Sequence, residues 1–239
     1  MAAHRSETLI TLGRRTSPDR ASTLEALMHT STSAREPRET EFLDLLDWKR
    51  RVFELYATVR HSSDAAAAWL HWRRVREELL RAHAQSPLPP ERRVSALGVS
   101  YFEYDPGIRV LAEVRASEPE ILAIGTSHPR PIDFTRFGVA LFELNGRSLS
   151  LELYWLEGYG GGLFLPFADT TSGDETYGGG RYLLDTVKGA DLGMRDGRLV
   201  LDFNFAYNPS CAYDPEWLCP LAPPRNRLPV AVRAGERLA

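Results

Sequence analysis

The spacing of the apolar residues changes from helical to strand-like near residue 90. Over Glu41–Arg60 they recur every three or four positions, which predicts a helix with one buried face. The same spacing predicts a second helix over Asp64–Ala84, whose apolar stripe contains Trp69 and Trp72. Arginines cover most of the other side of this helix, a pattern typical of a solvated face rather than of a phosphate-binding surface.

Capping residues and prolines bound this helical region. Thr40 and the Ser62-Ser63 pair are expected to cap the two helices, because a hydroxyl can accept a hydrogen bond from the first free backbone N–H groups. Ser86-Pro87 and then Pro89-Pro90 follow the second helix and end it, since proline cannot continue the hydrogen-bond ladder. Residues 41–90 are therefore predicted to be a helical region that packs on the domain after it.

From Arg92 onward, short apolar-rich runs alternate with turn signals. The clearest hairpin joins Arg136–Leu144 to Arg147–Leu156 through Asn145-Gly146, a pair that favours the positive φ of a two-residue turn. In its second strand the leucines at alternate positions, continued by Trp155, define the face expected to be buried. Further strands are predicted over Val94–Tyr104, Ile108–Arg115, Arg198–Ala206 and Leu228–Val232. These patterns predict a mainly β (α+β) fold, an antiparallel β-barrel or sandwich preceded by two N-terminal helices.

Composition adds limits to this organisation. Residues 1–40 are rich in Ser, Thr and Arg and too poor in apolar groups to offset the entropy of ordering, which predicts a disordered leader. Residues 91–239 are predicted to form the β-domain. With 239 residues and 43% hydrophobic content, the chain can bury a substantial core without disulfides or a structural metal.

Charge and motif content exclude several classes of protein. The net charge of −3 gives no general attraction to nucleic acid or to an anionic membrane. No apolar run reaches the roughly 20 residues of a membrane-spanning helix, and the leader lacks the apolar segment of a signal peptide, so a cytoplasmic location is expected. Cys211 and Cys219 supply at most half of a tetrahedral zinc site, so no metal is assigned. The G-x-S-x-G and H-E-x-x-H motifs are missing.

A glycine-rich polar stretch, Asp169–Tyr182, is the strongest candidate for a functional site. Three consecutive glycines let backbone N–H groups approach a ligand closely, and the adjacent Arg181 offers a bidentate cation to an anionic group. Glu175 is the predicted base and Tyr177 the predicted acid or hydrogen-bond donor, so these two and Arg181 form the predicted catalytic group. The alternative interpretation is a loop whose polar groups only hydrogen-bond one another.

Three segments of the second half of the chain resemble an uncharacterised prokaryotic family, domain of unknown function 1684. They are LFLPFADTTSGDETYGGGRYL (Leu163–Leu183), LDFNFAYNPSCAY (Leu201–Tyr213) and CPLAPPRNRLPVAVRAGE (Cys219–Glu236). The resemblance implies no activity, but it sharpens the site, because this chain matches many polar positions of the family pattern. The predicted ligand-binding residues are Asp169, Thr176, Tyr182, Asn204, Tyr207, Asn208, Cys211 and Asn226.

The predicted function is therefore a small-molecule site, enzymatic or purely binding, built from residues 169–182 and 204–211. No cofactor is assigned, and flavin rests on analogy with other small β-barrels alone. Cysteine chemistry would need a base beside the thiol, and the histidines that could act as one are distant in sequence. The non-enzymatic alternative is an interaction module whose helices offer Trp48, Trp69 and Trp72 to a partner or to a second copy in a homo-oligomer.

Overall fold

The computed structural model describes residues 39–94 and 99–238, which form two long helices against a curled antiparallel sheet. The leader predicted for residues 1–40 lies outside the described residues, apart from Glu39 and Thr40, which begin the first helix. Within the described part of the chain, no helix is long and apolar enough to cross a membrane.

The helices lie close to their predicted positions, but their caps differ. Helix α1 spans Glu39–His61, α2 spans Ala65–Ala82 and the short α3 spans Pro90–Val94. Asp64, not the serine pair, caps α2: its Oδ1 accepts a hydrogen bond from the backbone N of Ala67 at 3.0 Å. A carboxylate suits this position because it also interacts favourably with the positive end of the helix dipole.

The strands form one large sheet and one small one. They are β1 (Ser100–Tyr101), β2 (Arg109–Ile124), β3 (Ile132–Leu144), β4 (Arg147–Leu156), β5 (Gly162–Phe167), β6 (Arg181–Asp185), β7 (Met194–Arg195), β8 (Arg198–Asp202) and β9 (Glu236–Arg237). Seven of them form an antiparallel sheet in the order β6–β5–β4–β3–β2–β8–β7, and β1 pairs with β9. The long β2 pairs with β8 along its first part and with β3 along its second, so the sheet curls into a half-barrel.

The hairpin predicted from Asn145-Gly146 is confirmed, and Asp196-Gly197 forms a second hairpin of the same kind. Asn145 and Gly146 adopt φ values of 52° and 71° between β3 and β4, and Asp196 and Gly197 adopt the same values between β7 and β8. These are the left-handed conformations that a two-residue turn of this type requires.

Three other strand predictions were too long or misplaced. The strand predicted over Arg198–Ala206 ends at Asp202, because the Asp202 carboxylate accepts the N–H of Asn204 and starts a 3₁₀ turn over Phe203–Phe205. Residues 228–232 form isolated backbone hydrogen bonds, such as the one from Leu228 N to Ala168 O, rather than a strand. The last strand is β9 instead. Between residues 94 and 104 only β1 is a strand among the described residues.

The main core lies between the sheet and the helices, and a smaller apolar cluster lies on the opposite face of the sheet. Trp69 and Trp72 are buried in the main core, and the indole N–H of Trp69 donates to the Asn204 carbonyl at 3.0 Å. Tyr154 belongs to the smaller cluster and is completely buried. Trp155 lies at the end of β4, beyond the main core, and is 42% exposed, so the predicted buried face does not extend to that position.

The turn between β3 and β4 provides a test of backbone conformation that involves no side-chain contact. An added Cβ at Gly146 would have no atom within 4 Å, so Gly146→Ala meets only the cost of a left-handed backbone, about 1 kcal/mol. Gly125→Ala is the matched control, because a Cβ there is equally uncrowded and its φ lies outside the left-handed region. Urea unfolding should show a loss of stability for Gly146→Ala only, and equal effects of the two changes would contradict the assigned turn.

Candidate functional site

Arg181 and Asp169 form a buried ion pair beneath the glycine-rich loop. Nη2 of Arg181 donates to Oδ2 of Asp169 at 2.7 Å. Oδ1 of Asp169 accepts the backbone N–H of Thr171 at 2.6 Å and its hydroxyl at 2.5 Å, and the Thr171 hydroxyl lies 2.9 Å from that of Thr176. Burial lowers the pKa of Arg181, an effect that the Asp169 carboxylate opposes. Each charge therefore depends on the other in this water-poor environment.

The remaining donors of Arg181 point to the C-terminal segment of the chain. Nη2 also donates to the Val232 carbonyl at 2.8 Å, and Nη1 donates to the carbonyls of Glu236, at 3.1 Å, and Ala234. The close backbone approach expected of the glycines is likewise made within the chain. Gly180 has φ +90°, and a Cβ there would lie 2.6 Å from the Phe167 carbonyl oxygen.

Two of the predicted ligand-binding amides, Asn226 and Asn204, are bonded to backbone. Asn226 accepts the N–H of Glu152 at 2.8 Å and donates to the carbonyls of Glu152 and Pro166 at 3.0 and 2.8 Å, which joins its loop to β4 and β5. Asn204 accepts the N–H of Asp105 at 2.9 Å and donates to its carbonyl at 2.8 Å. Both side chains are completely buried and act as clamps between distant segments.

The three residues of the predicted catalytic group lie in three different environments. Glu175 pairs with Arg233 near the surface at 2.8 Å, and the hydrogen bond from Arg233 lowers the pKa of its carboxyl. The Tyr177 hydroxyl lies 3.5 Å from Sγ of Cys211. Arg181 is directed into the interior, so the structure does not bring these three side chains to one point.

Three other predicted residues, Tyr182, Tyr207 and Asn208, meet in a cavity between the helices and the segment 207–213. This cavity, here called the tyrosine pocket, has a volume of about 70 Å³. Its lining residues are Trp48, Val52, Tyr56, Arg76, Leu80, Pro87, Tyr182, Lys188, Ala190, Tyr207, Asn208, Pro209, Ser210 and Tyr213. Burial raises the pKa of the four tyrosines, so their phenols stay neutral and keep their hydrogen-bonding protons.

Within the described part of the chain, two buried polar atoms of the tyrosine pocket have no hydrogen-bond partner. They are Oδ1 of Asn208 and the hydroxyl of Tyr56, whose residues are 4% and 2% exposed. The indole N–H of Trp72 lies near enough to Tyr56 to counter part of the rise in its pKa, but no hydrogen bond of normal geometry joins the two. An unpaired buried polar group costs about 1–3 kcal/mol, so this pocket is a place where a bound molecule would be stabilised.

The charges around the tyrosine pocket are already paired. Nε and Nη2 of Arg76 both donate hydrogen bonds to the carboxylate of Glu236. The buried Glu236 also accepts hydrogen bonds from Asn208 N and the Tyr213 hydroxyl, each at 2.6 Å. Burial alone would lower the pKa of Arg76, but the Glu236 carboxylate outweighs this and raises it. Lys188 lies 3.3 Å from Asp185. The pocket is thus polar without an excess of either charge.

A second cavity of about 240 Å³ adjoins the tyrosine pocket, with which it shares Trp48, Pro87, Lys188 and Ser210. We call it the outer groove. Its remaining lining is Leu45, Lys49, Gln85, Val187, Trp217, Leu218 and Cys219. Aliphatic and indole side chains form much of the wall of the outer groove. The outer groove is therefore largely apolar, whereas the adjoining tyrosine pocket is polar.

Cys211 and Cys219 lie together as free, buried thiols beside this groove. The backbone N of Cys211 donates to Sγ of Cys219 at 3.3 Å, and the backbone N of Cys219 donates to the Ser127 hydroxyl at 3.0 Å. A hydrogen bond from the Cys219 thiol lowers the pKa of Cys211 to about 6, with smaller contributions from the Tyr177 and Ser127 hydroxyls. The same bond, together with burial, raises the pKa of Cys219.

A larger cavity of about 600 Å³ lies elsewhere, between the end of α1 and β8, with Arg60, His61, Arg109 and Asp202 in its wall. Burial raises the pKa of Asp202. Among the described residues, however, none of the buried side-chain atoms that lack a partner lines this cavity. The volume of this cavity favours it as a ligand site, whereas the buried polar atoms without partners favour the tyrosine pocket.

Sequence reasoning missed Tyr56, Arg76, Lys188 and Glu236 as parts of the site. Arg76 was assigned to a solvated row, but its side chain is only 14% exposed. It stands four residues after Trp72 and four before Leu80, in line with the apolar stripe of α2. That position was the available signal, because a charge within a buried stripe needs a buried partner.

The structure thus defines a curled antiparallel half-barrel, covered by two helices, with a small polar cavity between the helices and the segment 207–213. Residues 97–237 match the family model described as "Protein of unknown function (DUF1684)", and the chain belongs to that family, as its motifs predict. It is similar to the solution NMR structure of an uncharacterised protein from Haloarcula marismortui, with 40% identity and a TM-score of 0.52. The similarity covers 70% of this chain and 90% of that one. No curated protein matches the chain.

The buried and exposed arginine–carboxylate pairs of this region give a matched test. Arg181→Met leaves Asp169 charged and unpaired in the interior and removes the donors to three carbonyls, so stability should fall by about 3–5 kcal/mol. Arg233→Met removes only the surface partner of Glu175 and should leave the urea midpoint unchanged. If Arg181→Met unfolds at the same urea concentration as the wild type, the buried pair does not hold the C-terminal segment.

Proposed function

We propose that this protein binds a small, uncharged amphipathic molecule, with its polar head in the tyrosine pocket and its apolar part in the outer groove. The observation that carries the proposal is the unpaired Oδ1 of Asn208, a buried acceptor beside the unpaired Tyr56 hydroxyl. A ligand N–H or O–H that donated to Asn208 would remove the cost of leaving this atom without a partner.

The pairing of charges supports an uncharged head group. Arg76 is bound to Glu236 and Lys188 to Asp185, so a carboxylate or phosphate would find neither cation free among the described residues that line the pocket. An ammonium group would likewise find both carboxylates taken. A buried charge without a partner is strongly disfavoured, whereas a neutral amide or hydroxyl can exchange hydrogen bonds with the amide of Asn208 and with the phenols.

Size and lining support a small ligand with an apolar part. The tyrosine pocket holds only a compact head group, and the outer groove offers about 240 Å³ beside Trp48, Trp217 and Leu218. Drug-sized ligands occupy pockets of roughly 300–1,000 Å³, so the two chambers fit a molecule at or below the lower end of that range.

The proposal divides the predicted site residues into two groups. Tyr182, Tyr207 and Asn208 are the proposed ligand-binding residues, and no reaction is assigned to them. A purely structural role is the second candidate, and it is favoured for residues whose hydrogen bonds are all made within the chain: Asp169, Thr176, Arg181, Asn204 and Asn226. We take the protein to be cytoplasmic, in keeping with its two free thiols.

The test is a thermal-shift series with one apolar chain that carries an amide, hydroxyl, carboxylate or ammonium head. The amide and the alcohol should raise the melting temperature by about 2–4 °C, the shift expected for roughly 1 kcal/mol of binding in a domain of this size. The charged members should give little or no shift. A series in which the carboxylate stabilises best would contradict the neutral-head proposal.

Two variants locate the effect. Ser210 lines both chambers, so Ser210→Phe should fill them and remove the shift, whereas Ser62→Phe, in the separate larger cavity, should keep it. Asn208→Ala removes the unpaired acceptor and should weaken binding about fivefold, the effect of one hydrogen bond. Unchanged binding to Ser210→Phe would place the ligand elsewhere.

A further inference from the structure

Cys211 and Cys219 are not used by the ligand proposal, although they lie in direct hydrogen-bond contact. We propose that these two cysteines are a peroxide-reactive dithiol that closes reversibly to a disulfide, with Cys211 as the attacking residue and Cys219 as the resolving one. Because Cys219 lines the outer groove, the proposal concerns the chain whose outer groove is free of ligand, and it does not depend on which head group the tyrosine pocket accepts.

The surroundings of Cys211 favour its thiolate. The Tyr177 hydroxyl lies 3.5 Å from its sulfur and can donate a hydrogen bond to a negative charge. The Cys219 sulfur lies 3.3 Å from the Cys211 backbone N, which brings its thiol to the same place. These contacts outweigh burial and bring the pKa of Cys211 to about 6. In other reactive cysteines a neighbouring cation, such as a protonated histidine, stabilises the thiolate. Here hydrogen bonds from a thiol and a phenol stabilise it instead.

The neighbouring segment holds Cys219 in place for the second step. Ser127 accepts the N–H of Cys219 through its hydroxyl and donates its own N–H to the Cys219 carbonyl at 2.9 Å. The Cys211 N–H is directed to the Cys219 sulfur at 3.3 Å. These bonds hold the backbone of Cys219 and keep its sulfur against the Cys211 backbone, which is the position that a resolving thiol requires.

The proposed reaction consumes one molecule of hydrogen peroxide. The Cys211 thiolate attacks one peroxide oxygen, an S–O bond forms, the O–O bond breaks, and hydroxide leaves with a proton as water. The Cys219 sulfur then loses its proton and attacks Cys211, so that an S–S bond forms and the S–O bond breaks to release a second water. The two thiols supply the two electrons that reduce the peroxide.

Burial favours a small peroxide over a bulky disulfide as the oxidant. Cys211 is 7% and Cys219 is 4% exposed, so the surrounding loop leaves room for an oxidant of about the size of water rather than for a peptide disulfide. Cys219 lines the outer groove, so we place the approach of the peroxide to the cysteine pair on that side.

The first experiment uses the unmodified full chain, whose only cysteines are these two. Equimolar peroxide at pH 7 should give a monomer that has lost two hydrogens by intact mass, contains no free thiol, and regains both thiols with dithiothreitol. Disulfide-linked dimers, irreversible oxygen addition, or failure to react under conditions that oxidise free cysteine would each overturn the proposal.

Variants separate the two roles. In Cys219→Ser the reaction should stop after the addition of one oxygen, which dimedone traps on Cys211, whereas Cys211→Ser should react several-fold more slowly than the wild type. Equal rates for the two variants would exclude Cys211 as the attacking residue.

Tyr177 is a positioning residue, and its test is a pH profile. Alkylation of Cys211 by iodoacetamide in the wild-type chain should have a midpoint near pH 6, and Tyr177→Phe should move this midpoint to higher pH because a hydrogen bond to the thiolate is lost. An unshifted midpoint in folded Tyr177→Phe would show that the phenol does not stabilise the thiolate.

Discussion

Two arginines, the buried Arg181 and the largely buried Arg76, hold residues 232–236 against the rest of the protein. Arg181 of β6 binds the backbone carbonyls of this segment, and Arg76 of α2 binds the Glu236 carboxylate. Buried ion pairs add little net stability, since desolvation of the charges offsets their attraction, but a segment shifted by one residue would leave a charge unpaired. The two arginines therefore determine the register in which the C-terminal segment closes the structure.

The tyrosine pocket depends on that register. Glu236 receives the N–H of Asn208 and the hydroxyl of Tyr213, so the same carboxylate that pairs with Arg76 also positions the pocket wall. The irregular segment from Tyr207 to Cys219 then carries both the unpaired acceptor and the two thiols. A regular sheet and two helices support this segment, which is the usual arrangement of functional loops on a rigid scaffold.

The features that follow from local sequence were predictable, and those that depend on distant contacts were not. The Asn145-Gly146 hairpin and the two helices are encoded by turn chemistry and by spacing within one element. Glu175 and Arg181 are close in sequence, yet one faces a surface arginine and the other the interior, because the loop reverses between them. The motif residues all lie in the second half of the chain, but nothing in the local sequence separates the clamps from the pocket lining.

The ion pair between Arg76 and Glu236 also constrains when the fold can be completed. Its members are 160 residues apart in the chain, and the first lies in a helix made early in synthesis. Until residue 236 has left the ribosome, the Arg76 guanidinium has no Glu236 carboxylate to pair with. The helices and the central hairpin consist of contacts close in sequence and can form as the chain emerges, whereas the segment 207–219 gains its Glu236 contacts only when this long loop closes.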